Sequence, residues 1–452
     1  MKASKYNFIW DLENGNKLAF NSMSCGLAEV NDEFLEILEN VEKIKYEELK
    51  GAKKELVDNM LLGNFIVHDY IDELKMLKFK HYQGKFGRNG LGLTIAPTLN
   101  CNFKCPYCYE TLDTHIMNQE IRQAIVNFVR ESAKTLKEIH ITWYGGEPLL
   151  VKDIIYELSE EFIKISKENN CKYDAYIVTN GYLIDDEIIK NFKKYKVKGA
   201  QITLDGPPHI HNNRRILRTG KGTFDVILKN IKKLKDADMQ VGLRINIDKE
   251  NSKFIPELLD ILKDNNLTNL DVSFGHITPY TEACSSISDS CLTTKEYADL
   301  NLEYQKLLHE KGFKAERYPY YPGIKANYCC ADQINSFVID PKGYMYKCWN
   351  NVGNKDMAVG NIKTIKSLTD EKMIMNHVNW LTSVPFEHEE CLECKLLPVC
   401  MGGCPYNLKR LGKPNCEKWK YNLEEILKYT YVYKTRNEKN KEIKKRSEKQ
   451  AI

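Results

Sequence analysis

Three cysteines, Cys101-x3-Cys105-x2-Cys108 in the run TLNCNFKCPYCYE, are the residues of this chain best suited to chemistry. Thiolates are soft ligands, and three at this spacing can hold three corners of a 4Fe–4S cube. The fourth iron is then open to an outside ligand, which turns an electron carrier into a possible catalyst. The alternatives are three reduced thiols in a loop, or part of a zinc site. Zinc favours four closed ligands, commonly in C-x2-C pairs, and no fourth Cys or His follows within reach, His115 being the nearest.

Such a loop needs a scaffold, and the 452-residue chain is long enough for two or three domains. Its 42% apolar content is ordinary for globular proteins, and no apolar run approaches the roughly 20 residues of a membrane span. The N-terminus, MKASKYNFIWD, reads as strand rather than as a secretory signal, so a cytoplasmic location is expected. In that compartment fifteen cysteines point to metal ligation rather than to disulfides. The net charge is +4, and residues 433–449 hold eight Lys/Arg against three acids, so +4 less 5 leaves the body near −1. This tail, 433–452, reads as a solvated or disordered terminus. It lacks aromatic interleaving and any binding motif, and no nucleic-acid role is expected.

Residues 1–85 read as a separate module. Tyr6, Phe8, Trp10 and Leu12 alternate as in a half-buried strand, and Asn14-Gly15 supplies a hairpin turn into Lys17–Phe20. Asn31-Asp32 can cap a helix bearing Phe34, Leu38 and Val41; a second helix bears Leu49, Leu56, Val57 and Met60, and 65–67 could follow as a strand. A hairpin, two helices and a strand resemble a winged helix, either a recognition element or a brace for the catalytic domain.

From 86 to about 320 short apolar runs alternate with amphipathic helices. Strands are predicted at Leu91–Ala96, Ile139–Tyr144, Tyr173–Thr179, Ala200–Leu204, Val241–Ile247 and Leu270–Phe274, with helices at Arg122–Leu136, Ile154–Lys167, Asp185–Tyr195, Phe224–Lys235 and Phe254–Lys263. Six β–α repeats make an α/β protein with a parallel sheet, open or curled into a partial barrel. Ligands of such sheets gather at the C-terminal ends of the strands, where the Cys101 loop lies. Residues 321–432 lose this rhythm and hold eight of the fifteen cysteines, as a third module organised by metal rather than by a large core.

With these elements in place, the cysteine triplet after the first strand resembles the signature of radical S-adenosylmethionine (SAM) enzymes. The resemblance implies a partial (β/α)6 barrel and a SAM molecule chelated to the open iron. It also implies cleavage of SAM to a 5′-deoxyadenosyl radical that takes hydrogen from an unactivated C–H bond. Tyr107 then sits where the family places an aromatic residue near the adenine. Gly145-Gly146-Glu147-Pro148, after the second strand, resembles the family's GGEP element, whose glycines let the backbone approach the SAM ammonium group. Thr179-Asn180-Gly181 and Thr203-Leu204-Asp205-Gly206-Pro207 resemble strand ends that line the SAM pocket, which makes Asn180 and Thr203 candidate contacts. Asn180 has a turn-forming alternative. Arg244 could pair with the SAM carboxylate or with a carboxylate of the protein.

The series Cys391-x2-Cys394-x5-Cys400-x3-Cys404 with Cys416, preceded by Cys329/Cys330 and Gly343-x4-Cys348, resembles a SPASM domain with two auxiliary 4Fe–4S clusters. By that resemblance Cys391, Cys394, Cys400 and Cys416 hold the outer cluster, and Cys404 joins Cys348 and one or both of Cys329 and Cys330 at the inner one. Zinc is the alternative for the C-x2-C pair. Consecutive side chains of extended backbone point to opposite faces, so without a special turn Cys329 and Cys330 cannot both reach one cluster. The inner cluster is therefore expected to keep an open iron. Cys25, Cys171, Cys284 and Cys291 stand outside any spacing and read as structural thiols. His209, His211 and His276 read as packing or surface residues.

Three 4Fe–4S clusters with SAM imply an enzyme fed by a flavodoxin- or ferredoxin-type reductant. In this family a winged-helix module before the barrel resembles an element that docks the leader of a precursor peptide. The expectation is a maturase that joins cysteine sulfur to carbon in a Cys-rich peptide, as in ranthipeptide and sactipeptide maturation. The alternatives are an anaerobic sulfatase-maturing (formylglycine-forming) enzyme, a carbon–carbon crosslinking maturase, and a non-catalytic iron–sulfur carrier. The sulfatase-maturing enzymes carry aspartate directly after the cysteine that here is Cys348; this chain has Trp349. Asp205 and Tyr144 are acid/base candidates by position only.

Overall fold

The computed structural model describes residues 1–87, 89–279, 287–313, 321–365 and 370–450. The chain divides into a unit of Met1–Gly84, Ala315–Tyr328 and Val384–Ile452 and a unit of Lys85–Lys314 and Cys329–Ser383. Cys284 lies outside the described residues.

The first unit begins with β1 (Lys2–Ala3), β2 (Asn7–Asp11), β3 (Lys17–Asn21), β4 (Gly26–Val30), α1 (Asp32–Asn40), α2 (Gly51–Leu62), β5 (Ile66–Val67) and α3 (Glu73–Phe86). The Asn14-Gly15 turn sets Asp11 opposite Lys17, and β2-β3-β4 form an antiparallel sheet, while β5 pairs with β1. Asn31 caps α1 by accepting from the Phe34 amide at 3.1 Å. Val30, Phe34, Ile37, Val57, Met60 and Ile66 close over one another as the core of this module.

Neither β4 nor α3 was legible in the sequence. Along α3 the fully buried side chains are Leu77, His81 and Lys85, a stripe at helical spacing. Two of the three are polar, so apolar periodicity is absent. Hydrogen bonds replace it, as Lys85 Nζ donates to the Ser383 carbonyl at 2.9 Å.

In the second unit β6 (Gly90–Ile95), β7 (Glu138–Trp143), β8 (Lys172–Val178), β9 (Val197–Thr203), β10 (Gln240–Ile247) and β11 (Asp271–His276) run parallel, each beside the next. All six predicted strands are present. The helices α4 (Gln119–Ala133), α5 (Lys152–Glu168), α6 (Asp186–Lys194), α7 (Pro208–Arg214), α8 (Phe224–Asp236), α9 (Ile255–Asp264) and α10 (Thr294–Glu310) separate or follow them. In β10, Val241, Leu243, Ile245 and Ile247 are buried while Gly242, Arg244 and Asn246 are half-exposed. One sheet face is thus packed and the other is left for polar residues.

The segment after 329 departs from the expected cysteine-organised module. β12 (Ser336–Ile339) adds to the sheet parallel to β6, and β13 (Tyr344–Tyr346), β14 (Gly360–Asn361) and α11 (Glu371–Thr382) come next. Residues 321–432 therefore contribute to both units. The first unit resumes with α12 (Glu389–Leu392), α13 (Leu397–Cys400), α14 (Pro405–Leu411) and α15 (Trp419–Gln450). Here Phe386, Cys391, Leu397 and Met401 share an apolar cluster with Tyr6 and Leu77, so this part rests on a hydrophobic core as well. The basic tail, expected to be solvated or disordered, continues α15 as helix to Gln450. Among the described residues no helix is long and apolar enough to cross a membrane.

Leu243, fully buried in β10, tests the packed face. Leu243→Ala should cost about 2–5 kcal/mol and Leu243→Met less than about 1.5, read from denaturation midpoints.

Candidate functional site

The loop bearing Cys101, Cys105 and Cys108 leaves the C-terminal end of β6. Phe103 is buried and bridges Leu217, the Lys104 amide donates to the Ile216 carbonyl at 3.0 Å, and Arg218 Nε donates to the Cys101 carbonyl at 2.7 Å. Two N–H groups face the Cys101 sulfur, the Phe103 amide at 3.4 Å and Asn180 Nδ2 at 4.0 Å. Burial pushes the thiols of Cys101 and Cys108 up to about 12 and raises that of Cys105 as well. Buried thiols with donors aimed at sulfur suit thiolate ligands that become anionic only against metal. The donor set therefore fits a cluster. Among the described residues no three of His, Cys, Asp and Glu are grouped so as to hold a single metal ion.

The turn Gly145-Gly146-Glu147-Pro148 after β7 packs directly on this loop. Gly145 has φ +119°, and a Cβ there would collide with the Thr98 carbonyl oxygen. A Cβ on Gly146 would meet the Leu99 carbonyl oxygen at 2.6 Å and the Asn100 carbonyl closer still. In the structure the space these glycines leave holds the backbone that leads into Cys101. Glu147 is fully buried, and its oxygens accept from the Leu149 amide at 3.0 Å, Thr179 Oγ1 at 2.8 Å and the Asn180 amide at 2.8 Å. Burial raises its carboxyl above the usual range, against these hydrogen bonds. Pro148 is buried at the start of a short 3-10 turn.

Asn180 is buried at the end of β8, and its Nδ2 also donates to Asn102 Oδ1 at 2.8 Å. Thr203 ends β9 opposite Arg244 in register. Arg244 lies over Gly275, and Nε donates to Asn246 Oδ1 at 2.9 Å; among the described residues no carboxylate pairs with it. Tyr107 donates to Asp205, receives Arg215 Nη1 at 2.8 Å, and lies under the Arg214 guanidinium at 5.2 Å. Asp205 also accepts from the Asn246 amide at 3.0 Å and is fully buried, which makes it a structural anchor. Tyr144, the other acid/base candidate, meets the Tyr109 hydroxyl at 2.5 Å, bonds Glu110 and packs on Trp349 with centroids 4.3 Å apart. Burial pushes Glu110 up to about 7, and its Oε2 is buried with no hydrogen-bond partner among the described residues. Glu110, Arg214, Arg215 and Arg218 were not singled out in the sequence, although a tract with three arginines between two glycine-marked turns was a usable signal.

In the first unit, Cys391 neighbours Cys394 and Cys416, Cys400 neighbours Cys394, and Lys420 Nζ lies 3.6 Å from the Cys416 sulfur. Cys404 opens α14. In the second unit Cys329 is extended and Cys330 enters a 3-10 turn, so their side chains hydrogen-bond each other. The special turn that alternation excepts is present here, and it brings the two sulfurs within reach of each other. The Cys329 hydrogen bond lowers Cys330, and Cys348 precedes a 3-10 turn that starts at Trp349. Cys171 is buried, while Cys25 and Cys291 are half-buried. His211 is buried between the Asp205 amide and Thr223; His276 stacks on Tyr297, and His209 is exposed near Glu257.

Gly146→Ala forces one methyl group against two carbonyls, an overpacking worth about 1–3 kcal/mol. Reconstituted protein should lose the iron and visible absorbance of one cluster while its far-ultraviolet circular dichroism is retained.

The model of the radical SAM superfamily matches residues 95–262. The chain is 26% identical over 337 residues to Fe-coproporphyrin III synthase of Methanosarcina barkeri, covering 68% of this chain and 80% of that protein. It is 27% identical over 380 residues to a cysteine-type anaerobic sulfatase-maturating enzyme of Clostridium novyi, covering 76% and 98%. Among solved structures, native anSMEcpe with bound AdoMet and Kp18Cys peptide aligns with TM-score 0.59 and 21% identity over 76% of this chain and 99% of that one. Streptococcus suis SuiB bound to precursor peptide SuiA aligns with TM-score 0.53 and 17% identity over 92% and 98%. Residues 95–262 form a radical SAM domain, and the chain that carries it is an enzyme.

Proposed function

We propose that this enzyme modifies a ribosomally made, cysteine-containing precursor peptide, joining a cysteine sulfur to a peptide carbon as a thioether. In this reading Cys101, Cys105 and Cys108 hold a 4Fe–4S cluster and leave one iron for SAM. When bound, cluster and SAM supply a one-electron reduction and a carbon radical able to take hydrogen from an unactivated C–H bond. Arg244, whose partner is a neutral amide, is suited to the SAM carboxylate, with Thr203 beside it in register. Tyr107, Asn180 and the Gly145–Pro148 turn wall the same strand ends.

The observation that carries the peptide reading is a groove of about 420 Å³ on the N-terminal module, lined by Ala28, Glu29 and Val30 of β4 and Leu56, Asn59 and Met60 of α2. Among the described residues β4 pairs only with β3, so its outer edge offers backbone hydrogen bonds to an added strand. Phe34, Met60 and Phe65 supply apolar contact beneath it. An extended leader segment is the occupant this chemistry fits. The coverage of the solved relatives agrees: anSMEcpe leaves about a quarter of this chain unmatched, whereas SuiB, bound to a precursor peptide, spans 92%.

Cys391, Cys394, Cys400 and Cys416 are assigned to one auxiliary cluster, and the Cys329–Cys330 turn with Cys348 contributes to a second. Because the turn directs both sulfurs one way, an open auxiliary iron is no longer required by the backbone, and the thioether reading stands on the peptide alone. Formylglycine formation is the second reading, favoured by the likeness to the Clostridium novyi enzyme over nearly its whole length. Both reactions act on a peptide cysteine and both draw on a flavodoxin- or ferredoxin-type reductant.

Anaerobic incubation with SAM, dithionite and a cysteine-containing peptide separates them. A thioether leaves the peptide two hydrogens lighter per link, with its sulfur retained and its cysteine closed to alkylation; formylglycine loses the sulfur. A peptide that remains fully alkylatable and unchanged in mass defeats both. Cys101→Ala, Cys105→Ala or Cys108→Ala should each abolish formation of 5′-deoxyadenosine. Leu56→Glu should weaken binding of a labelled leader at least about tenfold, or about 1.4 kcal/mol by fluorescence anisotropy, with peptide-independent SAM cleavage unchanged.

A further inference from the structure

Three arginines surround the cysteine loop, and the structure treats them differently. Arg214 is neutralised: its Nη2 lies 2.8 Å from Asp248 in a nearly fully buried pair, and Nη1 lies 3.5 Å from Glu250. Arg218 is exposed and donates to the Cys101 carbonyl. Arg215 has no ion-pair partner among the described residues. Its Nη1 donates to the Tyr107 hydroxyl at 2.8 Å, its guanidinium packs 5.7 Å from the Phe103 ring centre, and its Nε is buried with no hydrogen-bond partner. Its charge is felt at Cys101 and at Cys105. The carboxylates that face it make no direct ion pair with it: Asp205 is reached through Tyr107 and also takes the Asn246 amide, and Glu147 takes Thr179, Leu149 and Asn180.

A guanidinium with no direct ion pair among the described residues, held by a tyrosine of the metal-binding loop itself, is placed to meet further negative charge. Reduction of a thiolate-bound cluster adds one electron to an already anionic assembly, and a fixed positive charge beside it favours the reduced state. We infer that Arg215 is a positioning residue that raises the reduction potential of the cluster held by Cys101, Cys105 and Cys108, through a charge fixed by Tyr107. This inference rests on the assignment of those three cysteines as cluster ligands.

The test is a potentiometric titration of the reconstituted full chain without SAM or peptide, followed by electron paramagnetic resonance. The signal of interest is the component that disappears in Cys105→Ala; if no component disappears, the ligand assignment fails rather than the role of Arg215. Arg215→Gln, with iron content equal to the parent, should lower the reduced-to-oxidised ratio at a fixed potential about tenfold, a negative shift of about 59 mV for a one-electron couple. Arg215→Lys keeps the charge and should hold the parent potential. If Arg215 serves only to bind SAM, Arg215→Gln raises the KM for SAM and leaves the SAM-free potential unmoved, which overturns the inference. Should the Gln variant fail to assemble its cluster, the Lys variant decides: a potential as low as loss of the charge predicts would equally overturn it.

Discussion

The site depends on one buried carboxylate. An ionised group taken from water is strongly destabilising unless donors replace its hydration. Glu147 is fully buried and receives donors from Leu149, Thr179 and Asn180, which tie the turn after β7 to the end of β8. From the same strand end Asn180 reaches Asn102 and the Cys101 sulfur, while Gly145 and Gly146 let the turn press on Thr98, Leu99 and Asn100. The cysteine loop has little regular structure of its own. Its position is set by backbone contacts that three successive strands provide.

The two sheets manage their edges in opposite ways. The edge of β6 in the second unit is covered by β12, so the parallel sheet continues into the hairpin β13–β14. The edge of β4 in the first unit has no strand upon it among the described residues and borders an apolar groove. Covering one edge extends the scaffold on which Cys329, Cys330 and Cys348 are mounted. Leaving the other open keeps a row of backbone hydrogen-bonding groups unpaired by any strand among the described residues.

Much of this was legible before folding was considered. The six parallel strands and their helices follow from apolar period, and the N-terminal hairpin and helices from a turn signal and a cap. The elements that escaped notice had no apolar period to show. α3 buries a histidine and a lysine beside one leucine, β4 is five residues long, and β12 comes after a turn rather than a helix. The turn at Cys330 escaped notice for a related reason: alternation presumes extended backbone at both cysteines, and a 3-10 turn has no apolar period to announce it.

By itself the sequence determined the cysteine spacings, the order of the strands and the end of the sheet at which the cysteine loop emerges. Each of these is local, since spacing and period act over a few residues. Only the tertiary structure decided what the glycines of the Gly145-Gly146 turn make room for, that Asp205 is an anchor, and that Arg215 lacks, among the described residues, the direct ion pair that Arg214 beside it makes. Those outcomes depend on which charges and donors lie within a few ångströms after folding. Asp248 lies 34 residues from Arg214 in sequence, and Tyr107 lies 108 from Arg215. Electrostatic compensation is a property of distance in space, and no spacing rule along the chain carries it.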